Sequence, residues 1–414
     1  MENYKILFLA GSLIISSSAF AQTQEKTKAI MREPQPGFYQ NTIQKSLKET
    51  EPTKEKPKYF KADYSNMTLP TNPEEYKQNW HQKPISQGVT GTCWCFSTTS
   101  FYESEIKRIS GQEIKLSEMF PVYWEYVERA KYFVEKRGDM TFGEGSETNA
   151  VAKLFKKYGA VPADAYKGNP KNLPFFNHEP MVKELEAYLK SVKERNAWNE
   201  DEVVVTTKSI LNHYMGVPPT SVTANGKQYT PLQYVDKVLK LNMDKYVNFM
   251  SLMQVPFYET GEYKVPDNWW RSKDYNNVPS EDFIAALKTA VQKGYTVSIG
   301  GDVSEAGLDG QTQVAMIPTF DIPSAYIDDN ARQFRFSNGT STDDHAMHLV
   351  GYKEVDGKTW FLVKDSGAGS RNCGETCNKF GYFFMNEDYI KLKMMTLTVN
   401  EDAVKEVLAK MKKS

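Results

Sequence analysis

The chain changes its hydrophobic period once, near Gly294, and that change limits the folds open to it. Upstream, apolar residues recur at helical spacing; downstream they recur in short β-rich runs. An apolar and small-residue run continues from Cys93 to Ile109 and stops at Gly111. Ser117 caps a second helix through Phe133, which carries an aromatic stripe of Phe120, Tyr123, Trp124, Tyr126 and Tyr132. Val151, Leu154, Phe155 and Tyr158 form one face of a third helix, closed by Gly159. Met181 to Val192, Asp201 to Met215 and Pro231 to Leu241 read as further amphipathic helices, the last with Thr230 as cap and Pro231 at its first position. Ser280 caps one more, ending at Gly294. Then Tyr295 to Ile299, His345 to Tyr352, Trp360 to Lys364, Gly381 to Met385 and Met394 to Val399 read as strands, with Asp356-Gly357 as a hairpin turn. Helices followed by an antiparallel sheet make an α+β protein of two halves, and the cleft between such halves is a natural place for a site.

The first 60 residues stand outside this pattern. Lys5 precedes the apolar run Ile6 to Ile15, and Ala19-Phe20-Ala21 supplies a small-residue cleavage site. Residues 1–21 are therefore expected to be a signal peptide, too short in its apolar part to span a bilayer. An exported protein, periplasmic or secreted, follows. Residues 22–60 are polar and charged and read as a solvated arm. The folded domain is expected over 61–414, with a helical insertion at about 180–270. Net charge is −1, so no global field draws the chain to nucleic acid, and no run is long enough for a membrane span. Four cysteines are too few for a disulfide-framed fold, although Cys373 and Cys377 are spaced to close a small loop in an oxidising compartment. Cys93-Trp94-Cys95 is a poor chelating start, so no zinc and no other cofactor is expected.

Chemistry concentrates in Gln87-Gly88-Val89-Thr90-Gly91-Thr92-Cys93-Trp94-Cys95-Phe96-Ser97. Here a small-residue loop gives way to a helix that begins at a cysteine. Unpaired N–H groups and the positive end of the helix dipole favour thiolate over thiol there. The N–H of Cys93 and the amide of Gln87 are two donors that can converge on an oxyanion. The competing reading is a buried structural cysteine. Acyl transfer needs a histidine as well, and the chain has five: His81, His178, His213, His345 and His348. His345 opens a strand. By alternation it faces away from His348, which disfavours joint chelation and leaves His348 a structural role. The next strand of the hairpin ends at Lys364-Asp365, so antiparallel pairing brings Asp365 beside His345 as an orienting group.

These segments carry a resemblance. Gln87…Gly91-Thr92-Cys93-Trp94, Asp344-His345-Ala346-Met347…Gly351-Tyr352 and Val363-Lys364-Asp365-Ser366…Gly381-Tyr382 resemble, in order, the three signature segments of papain-fold cysteine peptidases. Within them the chain is most similar to the bleomycin hydrolase and aminopeptidase C branch. Leu116-Ser117-Glu118, Lys157-Tyr158-Gly159-Ala160-Val161-Pro162 and Gly301-Asp302-Val303 are similar to segments of that branch. The resemblance implies a papain-like two-lobed fold acting on peptides. It makes Cys93 the nucleophile, His345 the base and then the acid, Gln87 the oxyanion donor, and Asp365 the occupant of the orienting asparagine's place. It also implies aminopeptidase specificity and a homo-hexamer supported by the helical insertion. Three departures modify these expectations. Asp365 should hold the imidazolium more strongly than an asparagine and alter the pH dependence. Gly367 replaces a tryptophan, which should leave the Asp365–His345 contact less shielded from water. The sequence given ends at Ser414, without the longer tail whose carboxylate helps that branch select a free N-terminus. An open-cleft endopeptidase and a non-catalytic peptide-binding homologue are therefore the alternatives.

Overall fold

The computed structural model describes residues 38–45, 60–64, 66–374 and 376–412. The expected signal peptide lies outside these residues, as does most of the expected arm. The chain divides into the units Met1–Lys58 and Tyr59–Ser414. In the first, Tyr39–Gln44 forms a short π-helical turn.

The second unit opens with helices α1 (Cys93–Ser110), α2 (Met119–Glu135), α3 (Asn149–Tyr158), α4 (Glu179–Glu194) and α5 (Glu200–Met215). There follow β1 (Tyr246–Met250), β2 (Tyr275–Asn277), α6 (Ser280–Gln292), β3 (Val297–Gly301), β4 (Val314–Ala315) and α7 (Asp329–Ser337). The chain then forms β5 (His345–Val355), β6 (Lys358–Lys364), β7 (Tyr382–Asn386), α8 (Glu387–Lys393), β8 (Met394–Asn400) and α9 (Lys405–Met411). The main sheet runs β2-β1-β8-β3-β5-β6-β7-β4, extended at each end by a two-residue strand. Its pairs are antiparallel except β1 with β2 and β4 with β7.

Local chemistry explains most boundaries. Ser117 Oγ accepts the Phe120 N–H at 3.1 Å, which satisfies a first-turn donor of α2. Gly111 ends α1 at φ 74°, a left-handed conformation that glycine adopts without strain. Asp356 and Gly357 both take positive φ, as a two-residue hairpin turn between twisted strands requires. Two readings are corrected. The helical segment does not continue to 270: after a capping box at Thr230 and Gln233, π-helical turns end at Leu239 and Lys240 turns left-handed. Tyr246–Met250 then pairs with β8, because so short a β-branched and aromatic run satisfies its backbone better in a ladder. Ser280 is the first residue of α6 rather than its side-chain cap, and its N–H donates to Asp329 Oδ1 at 2.7 Å.

The aromatic stripe of α2 is packing, with Trp124 stacked on Tyr158 at 4.1 Å between ring centroids. One apolar core joins α1 through α5; another lies between the sheet and α6. Helix α1 is the seam. Its buried face is rich in hydroxyls, which permit close approach and find partners on the strands. Ser97 Oγ donates to the Met347 carbonyl at 2.8 Å and meets Ser298 Oγ at 2.5 Å. Ser100 Oγ meets His348 Nδ1 at 2.9 Å and accepts from Lys364 Nζ at 2.7 Å. A Ser97→Ala protein loses two buried hydrogen bonds and leaves Met347 O without that donor. Chemical denaturation should show it destabilised by roughly 1–3 kcal/mol.

Candidate active site

Cys93 is the first residue of α1 and is half-exposed. No side chain caps this helix: Thr92, the residue before it, turns its hydroxyl to Thr90 Oγ1 at 2.6 Å instead. The positive end of the helix is therefore left to act on the Cys93 sulfur. Cys95, by contrast, is wholly buried, with Sγ donating to the Glu118 carbonyl at 3.2 Å. Burial pushes its thiol well above the ordinary range. Cys373 and Cys377 are joined in a disulfide.

His345 opens β5 opposite Gly301 of β3. Its Nε2 lies 2.6 Å from Asp365 Oδ1, and the Cys93 sulfur is near enough to act on the charge of the ring. Burial works against a charged ring here. The Asp365 carboxylate and then the Cys93 sulfur outweigh it and hold the imidazolium well above the usual histidine range. Asp365, just past the end of β6, is almost completely enclosed, with 1 % of its side chain exposed. Burial alone would raise its pKa. The His345 charge, followed by the Ser370 hydroxyl donating to Oδ2 at 2.7 Å, instead brings it down to about 2.

Gly367, in the place of a tryptophan, stands beside this contact, whose carboxylate is enclosed while the ring keeps 13 % of its side chain exposed. A Cβ at Gly367 would lie 3.3 Å from both Cε1 and Nε2 of His345, so the main chain itself covers the ring edge. Arg371 closes the loop from behind: Nη2 donates to the Asp365 carbonyl at 2.8 Å, and Nη1 lies 3.8 Å from Asp365 Oδ2 and donates to the Gly367 carbonyl.

Gln87 is buried on the other side of Cys93. Its N–H donates to the Ser366 carbonyl at 3.0 Å, its Oε1 accepts from Ser366 Oγ at 2.7 Å, and its Nε2 donates to the Thr90 carbonyl at 2.7 Å. An amide has two N–H donors, so one remains for a ligand. Gly88 makes the loop possible, at φ 67° and with the Phe176 backbone where a Cβ would be.

The structure thus brings Cys93, His345 and Asp365 together, with Gln87 bonded to the residue after Asp365. The other histidines stand apart from this chain of bonds. His348 is held by Ser100, His81 by the Asn79 carbonyl and the Tyr382 hydroxyl, and His178 by Tyr126. Sequence reasoning missed Ser370, Arg371 and Glu144. Glu144 Oε2 accepts the Gly91 N–H at 2.7 Å, and its carbonyl accepts from Trp94 Nε1 at 3.1 Å, so it ties down the loop before Cys93. A buried Asp365 required partners, and Ser370-Arg371 was the nearby polar pair. Nothing local marked Glu144, which reaches Gly91 only through the fold. No group of acidic, histidine or cysteine residues suited to a metal ion occurs among the described residues. A thiol, a charged ring and spare N–H donors in one place suit attack on an acyl carbon.

Comparison with known proteins gives this geometry a context. Residues 33–414 match the model of the Peptidase C1-like family. Aminopeptidase C of Lactobacillus helveticus is 22% identical, over 79% of this chain and 81% of that protein. Bleomycin hydrolase of Gallus gallus is 23% identical, over 80% and 83%. The crystal structure of PepW from Lactobacillus rhamnosis superposes with a TM-score of 0.65 at 18% identity, covering 83% of this chain and 85% of that one. The fold is papain-like.

The Asp365–His345 pair has a pH signature. Folding raises the ring's pKa above its ordinary 6.5, so the pair stabilises in full below that value and is lost as pH rises through the folded one. Folding lowers Asp365 from 3.8 to about 2, so the pair is also lost as pH falls across that interval. Thermal melts should therefore show wild type losing its advantage over Asp365→Asn as pH falls from about 4 to 2. The His345 ring resonances of Asp365→Asn should titrate at lower pH than those of wild type. A pH-independent gap between the two proteins would contradict this electrostatic account.

Proposed function

This chain belongs to the Peptidase C1-like family, and from that premise we propose that it is a cysteine peptidase whose nucleophile is Cys93. The observation that carries the reading is the position of His345, with Asp365 on its Nε2 and the Cys93 sulfur near enough to favour its charge. His345 takes the thiol proton as the Cys93 sulfur attacks the carbonyl carbon of a peptide bond. The resulting oxyanion is held by the Cys93 N–H and by the Gln87 amide hydrogen that Thr90 does not use. His345 gives its proton to the departing amine as the C–N bond breaks, leaving a thioester on Cys93. A water molecule then gives a proton to His345 and attacks the thioester, and the acid product leaves as Cys93 recovers its starting form.

The substrate end is proposed from the relatives. Proteins named aminopeptidase C, aminopeptidase E and bleomycin hydrolase align over most of this chain, which favours removal of N-terminal residues. Export is proposed from residues 1–21 alone. An assay with two fluorogenic amides, one with a free N-terminus and one acetylated, tests the assignment. The free amide should be turned over and the acetylated one much less, and Cys93→Ser should lower the rate by a factor on the order of 10³ or more. Full activity in Cys93→Ser refutes the nucleophile; equal turnover of both substrates refutes the aminopeptidase reading but not the peptidase one.

A further inference from the structure

The turn that follows Asp365 carries a largely enclosed cation that has no part in the steps above. Arg371 lies six residues beyond Asp365, and only 11 % of its side chain is exposed. All four N–H donors on its two terminal nitrogens are used. Nη2 donates to the Asp365 carbonyl at 2.8 Å and to the Ile85 carbonyl at 2.9 Å. Nη1 donates to the Gly367 carbonyl and, at 3.1 Å, to Ser370 Oγ. The Phe380 ring lies against the guanidinium, its centroid 5.4 Å away.

The places of these acceptors in the chain give the contacts their meaning. Ile85 stands two residues before Gln87, and Asp365 and Gly367 flank Ser366. Gln87 and Ser366 are themselves paired, the Gln87 N–H donating to the Ser366 carbonyl at 3.0 Å and Ser366 Oγ to Gln87 Oε1 at 2.7 Å. One guanidinium therefore brackets, from both chain segments, the pair that orients the Gln87 amide.

The bracket is firmly mounted. Ser370 donates to Asp365 Oδ2 at 2.7 Å, and its carbonyl accepts the Gly381 N–H at 2.8 Å and the side-chain amide of fully buried Gln313 at 2.6 Å. The Gly381 carbonyl accepts the Asp365 N–H at 2.9 Å. A Cβ on Gly381 would lie 2.3 Å from Pro84 Cβ and 3.3 Å from Arg371 Nη2, so the turn presses the guanidinium toward the segment that leads to Gln87. Three of the four acceptors are main-chain carbonyls, and the nearest acid, Asp365 Oδ2, is 3.8 Å away. A charge enclosed in this way carries a desolvation cost that an apolar side chain would not.

We propose that Arg371 is a positioning residue for the oxyanion donor. By holding the Ile85, Asp365 and Gly367 carbonyls together, it turns the spare N–H of Gln87 toward the place where the oxyanion forms, in register with the Asp365–His345 pair. Its own bonds go to none of Cys93, His345 and Gln87. The proposal rests on the peptidase reading and adds to it a residue that acts through Gln87.

A double-mutant cycle tests this, with turnover of the free-N-terminal amide measured per mole of folded protein as counted by near-UV circular dichroism. Arg371→Ala should lower kcat roughly tenfold or more and leave KM within about threefold, because the oxyanion exists only as the bond breaks. In a Gln87→Ala background the same substitution should cost about threefold or less, because the group it positions is already gone. Arg371→Lys keeps the charge, but three donors on one nitrogen cannot meet four divergent acceptors, so it should show the same dependence on Gln87. A residue that only stabilises the fold would cost as much in either background. Equal costs in the two backgrounds, an unchanged kcat, or a loss carried by KM alone overturns the proposal. Should Arg371→Ala fail to fold, the Arg371→Lys cycle decides by the same criteria. An inactive native protein refutes the peptidase reading and this proposal with it, whereas equal costs in an active protein refute this proposal alone.

Discussion

The placement of Cys93 against His345 depends on how closely helix α1 lies on the sheet, and hydroxyls rather than large apolar side chains set that distance. Ser97 bonds to the Met347 carbonyl and to Ser298; Ser100 bonds to His348 and Lys364. Each links a residue of α1 to a strand that also carries the site. Cys93 stands one turn before Ser97, and His345 two residues before Met347. The bonds that bury the helix are therefore the bonds that align the thiol with the ring. A leucine at either serine would hold the layers apart and break the alignment while leaving the core apolar.

The second constraint is electrostatic. A carboxylate as enclosed as Asp365 retains its charge only because its surroundings compensate for the loss of water: the His345 ring, the Ser370 hydroxyl and the Arg371 guanidinium all turn toward it. The consequence runs back to the helix. The charged ring and the uncapped first turn of α1 both place positive potential beside the Cys93 sulfur.

Much of this was legible in the residue pattern. The Asp356-Gly357 turn and the Cys93 helix start are local signals and formed as read, whereas the change of period near Gly294 was only partial, since β1 and β2 precede it and α7 to α9 follow it. Asp365 was reached by counting along a hairpin, which works because pairing register is a local rule. What failed was reasoning that needed the third dimension. Tyr246–Met250 joined the sheet because β8 was there to receive it. Ser370 and Arg371 bond to Asp365 because the loop from Ala368 folds back over it. Glu144 meets Gly91 only in the fold, so no spacing announced it.

The central claim is that His345, held charged by Asp365, keeps the Cys93 sulfur reactive. Alkylation by iodoacetamide at pH 6 tests it most directly, with the modified cysteine located by peptide mass analysis in native, unreduced protein. Reaction at Cys93, sparing buried Cys95, and slower by roughly tenfold or more in His345→Ala is the result expected. Equal rates at Cys93 in wild type and His345→Ala would contradict the account.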